Sequence, residues 1–171
     1  VLVEQLGKYV VTGRLDELTL TTNGSRLAEH ANTLAKSNIR RLNVSLDSLD
    51  TKRFAEITRG GKLDQVLGGI AAAQAAGIAV RINMVAMKGV NEDEILPMAE
   101  YCAAQAHDLA LIETMPLGDG VAGRADHYVP LDSFIAPVRA RHALHELPHR
   151  TSGPARYWQV EGLNLRLGLI T

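Results

Sequence analysis

The fold is decided by the stretch Arg41-Leu-Asn-Val-Ser-Leu-Asp47, in which apolar and polar residues alternate up to a polar end. Alternation with a period of two predicts a β-strand with one apolar face and one polar face. Three further stretches also end in polar or functional residues, and each follows a helical pattern: Glu17–Gly24, Ala79–Val85 and Leu109–Pro116. Strands that alternate with helices predict a parallel α/β fold.

The carboxyl ends of these strands predict a ligand site, because in parallel α/β folds those ends open on one face where ligands bind. The polar or functional residues near the ends are Thr21, Thr22, Asn23, Ser45, Asp47, Asn83, Glu113 and Met115. Other interpretations stay open for each strand. Turn-forming residues would look the same at Thr21–Gly24, and a strand exposed to water would show the same alternation as residues 41–47. Arg81 could bind a phosphate or pair with a surface carboxylate.

The composition is that of an ordinary folded domain with one hydrophobic core: 171 residues, 46% apolar and 22% charged. A net charge of −1, with 18 basic and 19 acidic residues, gives no basic surface for nucleic acid or an anionic membrane. No apolar run approaches the roughly 18 residues of a membrane span. Because Cys102 is the only cysteine, an internal disulfide is excluded and a cytoplasmic location is expected. One thiolate also cannot hold an iron–sulfur cluster.

Helical spacing predicts an opening amphipathic helix and further helices over 25–36, 62–76 and 131–144, with a short helix that Asp50 caps. Asn91 and Glu94 have capping-box spacing, and Pro97 leaves open whether the next helix starts near it or is kinked there. Residues 155–161 and 165–171 predict an antiparallel hairpin. We therefore expect a partial (β/α) barrel core over residues 1–118, then a glycine-rich loop, a helix and the hairpin over 119–171. A chain that opens inside a helix predicts a piece of a longer protein.

Three other features carry weaker chemical interpretations. Lys88 could form a Schiff base in an aldolase-like barrel, but the neighbouring Gly89 and Asn91 favour a solvated loop. The histidines at positions 142, 145 and 149 have the spacing of metal ligands, although a solvated basic face is the more common outcome. Cys102 lies on the apolar stripe of its helix, which favours a buried thiol over a reactive one.

The order of six motifs resembles one enzyme family. They are Leu20-Thr-Thr-Asn-Gly24, Arg40-Arg-Leu-Asn-Val-Ser-Leu-Asp-Ser-Leu-Asp50, Gly77-Ile-Ala-Val-Arg-Ile-Asn83, Lys88-Gly-Val-Asn91, Ile112-Glu-Thr-Met-Pro-Leu-Gly118 and Gly153-Pro-Ala-Arg156. Together they resemble the radical S-adenosylmethionine (SAM) GTP 3′,8-cyclases of molybdenum cofactor biosynthesis. The resemblance covers nearly the whole chain, and residues 43–50 are its most specific part.

The resemblance implies an incomplete (β/α) barrel and a radical reaction. In the family, SAM is cleaved at an N-terminal [4Fe-4S] cluster, and the 5′-deoxyadenosyl radical removes hydrogen from C3′ of the GTP ribose. The new carbon radical attacks C8 of guanine, and a second [4Fe-4S] cluster holds the base. By position, Thr21 and Arg81 correspond to GTP contacts, and Ser45 and Met115 to SAM contacts. No residue of this chain corresponds to a catalytic group or a metal ligand.

The chain departs from the family pattern in several places. Arg81 stands where a lysine is usual, and Ala110 where many members have an arginine. The Cys-x₃-Cys-x₂-Cys motif and the cysteines of the second cluster are missing, so we expect a central piece that is inactive alone. GTP, SAM and the next enzyme of the pathway are the implied partners, and a homodimer is left open. The alternatives are a phosphate-binding lyase or aldolase that uses Lys88, and a non-enzymatic self-associating module.

Overall fold

The computed structural model describes residues 2–114, 127–148 and 155–171. The chain divides into two compact units. Unit 1 runs to Leu46 and continues from Asp50 to Arg81, and unit 2 comprises Asp47–Leu49 and Ile82–Thr171. The boundary expected between residues 118 and 119 lies outside the described residues and stays a prediction.

Unit 1 is built from βα steps in which strands and helices alternate. Its elements are α1 (Leu2–Val11), β1 (Thr19–Thr22), α2 (Leu27–Lys36), β2 (Arg41–Ser45), α3 (Thr51–Thr58), α4 (Leu63–Ala75) and the first residues of β3 (Ala79–Ala86). Strands β1 and β2 are parallel, and Thr21 pairs with Asn43. The start of β3 runs beside β2, because Ala79 N donates to Arg40 O at 2.9 Å. These strands lie where the alternating patterns predict them.

Helices α2 and α4 pack closely because glycine occupies their contact. A Cβ atom added to Gly69 would lie 2.8 Å from Gly24 O and 2.9 Å from Leu27 Cβ. Gly24 itself has a φ of 76°, a conformation that side chains rarely adopt. The turn after β1 therefore has little tolerance for a larger residue, which fixes the position of the strand end.

The helix ends of unit 1 follow their sequence signals. Asp50 Oδ1 accepts a hydrogen bond from Arg53 N at 2.7 Å, which confirms the predicted cap of α3. Helix α4 ends just before Gly77, whose φ is 79°.

Unit 2 has parallel strands that continue into antiparallel ones. Its remaining elements are a 3₁₀ turn (Glu92–Glu94), α5 (Ile95–Ala104), β4 (Asp108–Glu113), α6 (Leu131–Phe134), α7 (Ala136–Arg141), β5 (Leu144–Leu147), β6 (Arg156–Val160) and β7 (Leu165–Ile170). The strand order is β3-β4-β7-β6-β5. Strand β7 is parallel to β4 and antiparallel to β6, and β5 is antiparallel to β6. The α/β class and the C-terminal hairpin are confirmed.

The single helix predicted over 131–144 is wrong. Two short helices occupy its first part, and Leu144 already belongs to β5, where it pairs with Val160. Pro137 stands at the start of α7, so the chain restarts a helix there rather than continuing one. Strand β5 was not predicted, because its sequence, Leu-His-Glu-Leu, contains none of the Val, Ile, Thr, Phe, Tyr or Trp residues that favour strands.

The Asn91 region lacks the predicted capping box but follows one of the two alternatives for the start of the next helix. Helix α5 starts at Ile95, so Pro97 lies within the first turn, where the missing N–H does not break the helix. This outcome is close to the interpretation in which the Asn91 turn is separate. The Asn91 side chain makes no cap bond to the following turn, and it is bonded instead to Asp47 O, Val85 O and Met87 N.

Candidate functional site

The polar face of unit 1 carries three of the four residues predicted to bind ligands. Thr21 is exposed, while Ser45 and Arg81 are half-buried. Along β2 and β3 these residues alternate with buried apolar ones: Leu42 and Val44 at 0% exposure, and Val80 at 4%. A strand places alternate side chains on opposite faces, so the apolar set forms the core and the polar set is left for solvent or a ligand.

Asn43 lies between Thr21 and Ser45 on this face. Its Nδ2 donates a long bond of 3.4 Å to Thr21 Oγ1. Its Oδ1 is buried and has no hydrogen-bond partner among the described residues. Buried polar atoms without a partner are rare in folded proteins, so this amide oxygen needs an explanation.

The other polar residues at the end of β1 serve the turn. Thr22 Oγ1 accepts a bond from Gly24 N at 3.1 Å. Asn23 Oδ1 accepts bonds from Ser25 N at 3.2 Å and from Ser25 Oγ at 2.9 Å. The turn-forming interpretation therefore holds for Thr22 and Asn23, whereas the Thr21 hydroxyl is on the exposed face.

A cavity of about 620 Å³ opens beside the end of β1 in unit 1. Helix α1 contributes Leu2 and Glu4 to its wall, α2 contributes His30, and Arg26 lies just before α2. Thr21 also lies at its edge. The size is within the usual range for small-molecule sites.

Unit 2 has a second polar region, centred on Asn91, which is fully buried. Asn91 Nδ2 donates to Asp47 O at 2.8 Å and to Val85 O at 2.9 Å. Asn91 Oδ1 accepts a bond from Met87 N at 3.0 Å. One side chain therefore joins Asp47, two residues beyond β2, to Val85 near the end of β3.

Asp47 and Glu94 complete this region, which we call the Asn91 network (Asp47, Ser48, Asn91 and Glu94). Asp47 Oδ1 accepts a bond from Val85 N at 2.8 Å. Burial raises the pKa of Asp47, and the bond from Val85 N opposes that rise. Glu94 accepts bonds from Ser48 Oγ and Leu49 N, both at 2.5 Å. Each carboxylate is thus bonded to backbone or hydroxyl donors of the same unit.

The sequence interpretation missed this role of Asn91 and Glu94. Their signal was visible as the spacing of a capping box, but the same residue types can bond to distant backbone groups. Ser48, which is also fully buried, gave no signal at all.

The remaining sequence-predicted residues are placed as follows. Glu113 Oε2 accepts a bond from Leu131 N at 3.2 Å, and Tyr128 Oη donates to Glu113 Oε1 at 3.4 Å, so this carboxylate is bonded to residues next to α6. Asn83 is half-buried in β3. Met115 and residue 149 lie outside the described residues. Lys88 is exposed, and its backbone is bonded to His127, as expected for a solvated loop.

Metal-binding chemistry finds little support in the described ranges. They contain no group of three or more His, Cys, Asp or Glu side chains that could hold a metal ion. Cys102 is buried, and burial raises the pKa of its thiol, so the thiolate needed for ligation is disfavoured. In the same ranges no helix is long and apolar enough to cross a membrane.

Comparison with known proteins gives consistent matches. The radical SAM superfamily profile matches residues 2–102. A protein of Rhodopseudomonas palustris (strain TIE-1) named GTP 3′,8-cyclase is 54% identical over 170 residues, which are 99% of this chain and 49% of that protein. Proteins of the same name from Rhizobium meliloti and Erythrobacter litoralis are 50% and 48% identical, each over 99% of this chain and 49% and 51% of their own length. The chain spans about half the length of the curated relatives it matches.

Proposed function

We propose, because the chain belongs to the radical SAM superfamily, that it is the central part of a GTP 3′,8-cyclase. Such an enzyme converts GTP to 3′,8-cyclo-7,8-dihydro-GTP in the first step of molybdenum cofactor biosynthesis. The observation that carries the proposal is the identity of 48–54% with proteins of that name along 99% of the chain. The chain on its own is proposed to be inactive.

The polar face of unit 1 supports the proposed ligand contacts. Thr21 and Arg81 are assigned to GTP, and Ser45 to SAM, with Met115 assigned to SAM by sequence position alone. Arg81 carries a planar guanidinium, which suits a phosphate through two parallel hydrogen bonds where a lysine would offer a point charge. The buried Asn43 acceptor on the same face fits a site that a polar ligand completes.

The two [4Fe-4S] clusters implied by this function do not fit the residues present. Cys102 is the only cysteine, and it is buried with a raised thiol pKa. We therefore propose that residues outside this chain hold both clusters, and that this chain contributes walls that bind and orient the two ligands. The clusters and SAM would supply the radical chemistry.

Further parts of the proposal concern organisation. The barrel core is assigned to residues 1–118, and the loop, helical segment and hairpin to 119–171. A cytoplasmic enzyme, a homodimer and transfer of the product to the next enzyme of the pathway are proposed on the same basis.

A chimera tests this function. The aligned 170 residues of this chain would replace the matching segment of the Rhodopseudomonas palustris relative, so that the relative supplies the rest of its length. The chimera, purified without oxygen, is incubated with GTP, SAM and a reductant, and 3′,8-cyclo-7,8-dihydro-GTP is measured. Product formation supports the proposal. A folded chimera that carries its clusters but forms no product, beside an active parent, overturns it.

A further inference from the structure

We infer that Asn43 is a further ligand-contacting residue of this site, and that its side-chain oxygen accepts a hydrogen bond from the nucleoside part of GTP or of SAM. The inference rests on the proposed function, because it names an additional contact on the same face of unit 1.

The amide oxygen of Asn43 lacks a hydrogen-bond partner in the part of the chain that the structure describes. Asn43 Oδ1 is buried, and no donor among the described residues reaches it. An unsatisfied buried acceptor costs folding free energy, so it persists where something other than folding requires it. Its neighbours along β2, Leu42 and Val44, are fully buried apolar residues, and position 43 is a strand position, where β-branched residues are favoured.

Asn43 lies beside two of the residues assigned to ligands. Asn43 pairs directly with Thr21 across the β1–β2 ladder. Ser45 is two residues further along β2, so its side chain is on the same face at a Cα separation of roughly 7 Å. Asn43 therefore lies between the residue assigned to GTP and the residue assigned to SAM.

The side-chain oxygen of Asn43 can only accept a hydrogen bond. Asn43 Nδ2 donates to Thr21 Oγ1, and Oδ1 is the atom of this amide that is buried without a partner among the described residues. A carbonyl oxygen accepts hydrogen bonds and donates none. It cannot bind a triphosphate or a carboxylate, which also only accept. A ribose hydroxyl or a purine amino group can donate to it, and both GTP and SAM contain a nucleoside with these groups.

The functional interpretation makes an unusual prediction about stability. If Asn43 served only the fold, its replacement by valine would destabilise the chain. If it serves a ligand, Asn43→Val removes a buried unsatisfied group and places a strand-forming residue in β2, so the free chain becomes at least as stable as the wild type. Loss of ligand affinity with no loss of stability is a signature that a structural role would not give.

The experiment measures both properties. Equilibrium dialysis of the chimera with radiolabelled GTP and, separately, with radiolabelled SAM compares the wild type with Asn43→Val. The exposed Asn32→Ala in α2 is the matched control. Urea unfolding of the 171-residue chain compares the same variants.

We expect Asn43→Val to weaken binding of at least one ligand by about 5- to 100-fold. The variant loses a hydrogen bond to the ligand and leaves the ligand's donor without a partner. The ligand whose affinity falls is the one that Asn43 contacts. If the affinities for GTP and SAM both fall, Asn43 contacts both ligands. Unchanged affinity for both ligands overturns the inference alone. Weakened binding together with a lower urea midpoint overturns it as well, because Asn43 would then be a structural residue. A wild-type chimera that binds neither ligand overturns the proposed function, and the inference falls with it.

Discussion

The polar face of unit 1 and the Asn91 network of unit 2 use the same residue types in opposite ways. Asn91 makes three hydrogen bonds with its buried side chain. Asn43 makes a single bond of 3.4 Å and has a buried oxygen without a partner among the described residues. A fully bonded amide stabilises the backbone around it, whereas an incompletely bonded amide costs stability and points to a ligand. The two asparagines should therefore respond to substitution in opposite directions.

The largest expected effect is the loss of Asn91. Asn91→Ala leaves two carbonyl groups and one N–H without their partner in a buried position. We expect the free energy of unfolding of the 171-residue chain to fall by about 3–5 kcal/mol, as measured by urea unfolding.

Asn164→Ala, in the exposed turn between β6 and β7, is the control and should change the free energy by less than about 0.5 kcal/mol. An Asn91→Ala chain as stable as this control would show that the network does not stabilise the fold, and the contrast with Asn43 would lose its basis.

The extent of prediction from sequence follows from the range of each interaction. Strands β1 to β4 and the cap of α3 could be predicted because an apolar run with a polar end and the Asp50 cap both depend on residues close in the chain. The bonds from Asn91 to Asp47 could not, because they join residues that are 44 positions apart. The same reason explains why the parallel pairing of β7 with β4 was not foreseen from a hairpin pattern.

The sequence predicted which side chains share the polar face of β2, but not which of their atoms are hydrogen-bonded within the fold. Alternation alone placed Asn43, Ser45 and Asp47 on one side of their strand. Which of these groups would be bonded internally depends on donors from other elements: Val85 N reaches Asp47 and nothing described reaches Asn43 Oδ1. Such differences appear only after the strands have paired.

A smaller effect is expected at Glu94, where two variants separate charge from hydrogen bonding. Glu94→Ala removes the acceptor of both Ser48 Oγ and Leu49 N, and we expect a loss of about 2–4 kcal/mol. Glu94→Gln should cost only about 1 kcal/mol. Its oxygen can still accept from Leu49 N, and the Ser48 hydroxyl can turn to accept from the new amide.

Urea unfolding of both variants at pH 7 measures the difference. Equal losses for the alanine and glutamine variants would mean that the negative charge, and not the pair of hydrogen bonds, stabilises the loop after β2.

The smallest effect concerns His107, which tests whether every unpartnered buried group points to a ligand. His107 is 2% exposed, and neither ring nitrogen has a hydrogen-bond partner among the described residues. It precedes β4, at the opposite end of that strand from Glu113, and the nearby ring of Tyr101 lies 5.9 Å away. Burial lowers the pKa of His107, although the charge of Asp108 opposes that change.

The lowered pKa fixes the sign of the pH dependence. Above the ordinary pKa of 6.5 the ring is neutral in both states, so it imposes no penalty from protonation. As the pH falls below 6.5 the unfolded chain binds more protons at this ring than the folded chain does, and stability is lost at up to about 1.4 kcal/mol per pH unit. We expect His107→Leu to remove this loss, so that the variant gains stability over the wild type between pH 7.5 and pH 5.5 in urea unfolding. A difference that stays constant over that range would contradict the burial of a neutral ring.

The chimera with His107→Leu should bind GTP and SAM within twofold of the wild type at pH 7.5, because His107 is a buried residue of unit 2 and no part of the polar face of unit 1. Unchanged binding would show that an unpartnered buried group does not by itself identify a ligand contact, so the inference for Asn43 also depends on its place between Thr21 and Ser45. Weaker binding would contradict the assignment of His107 as a core residue.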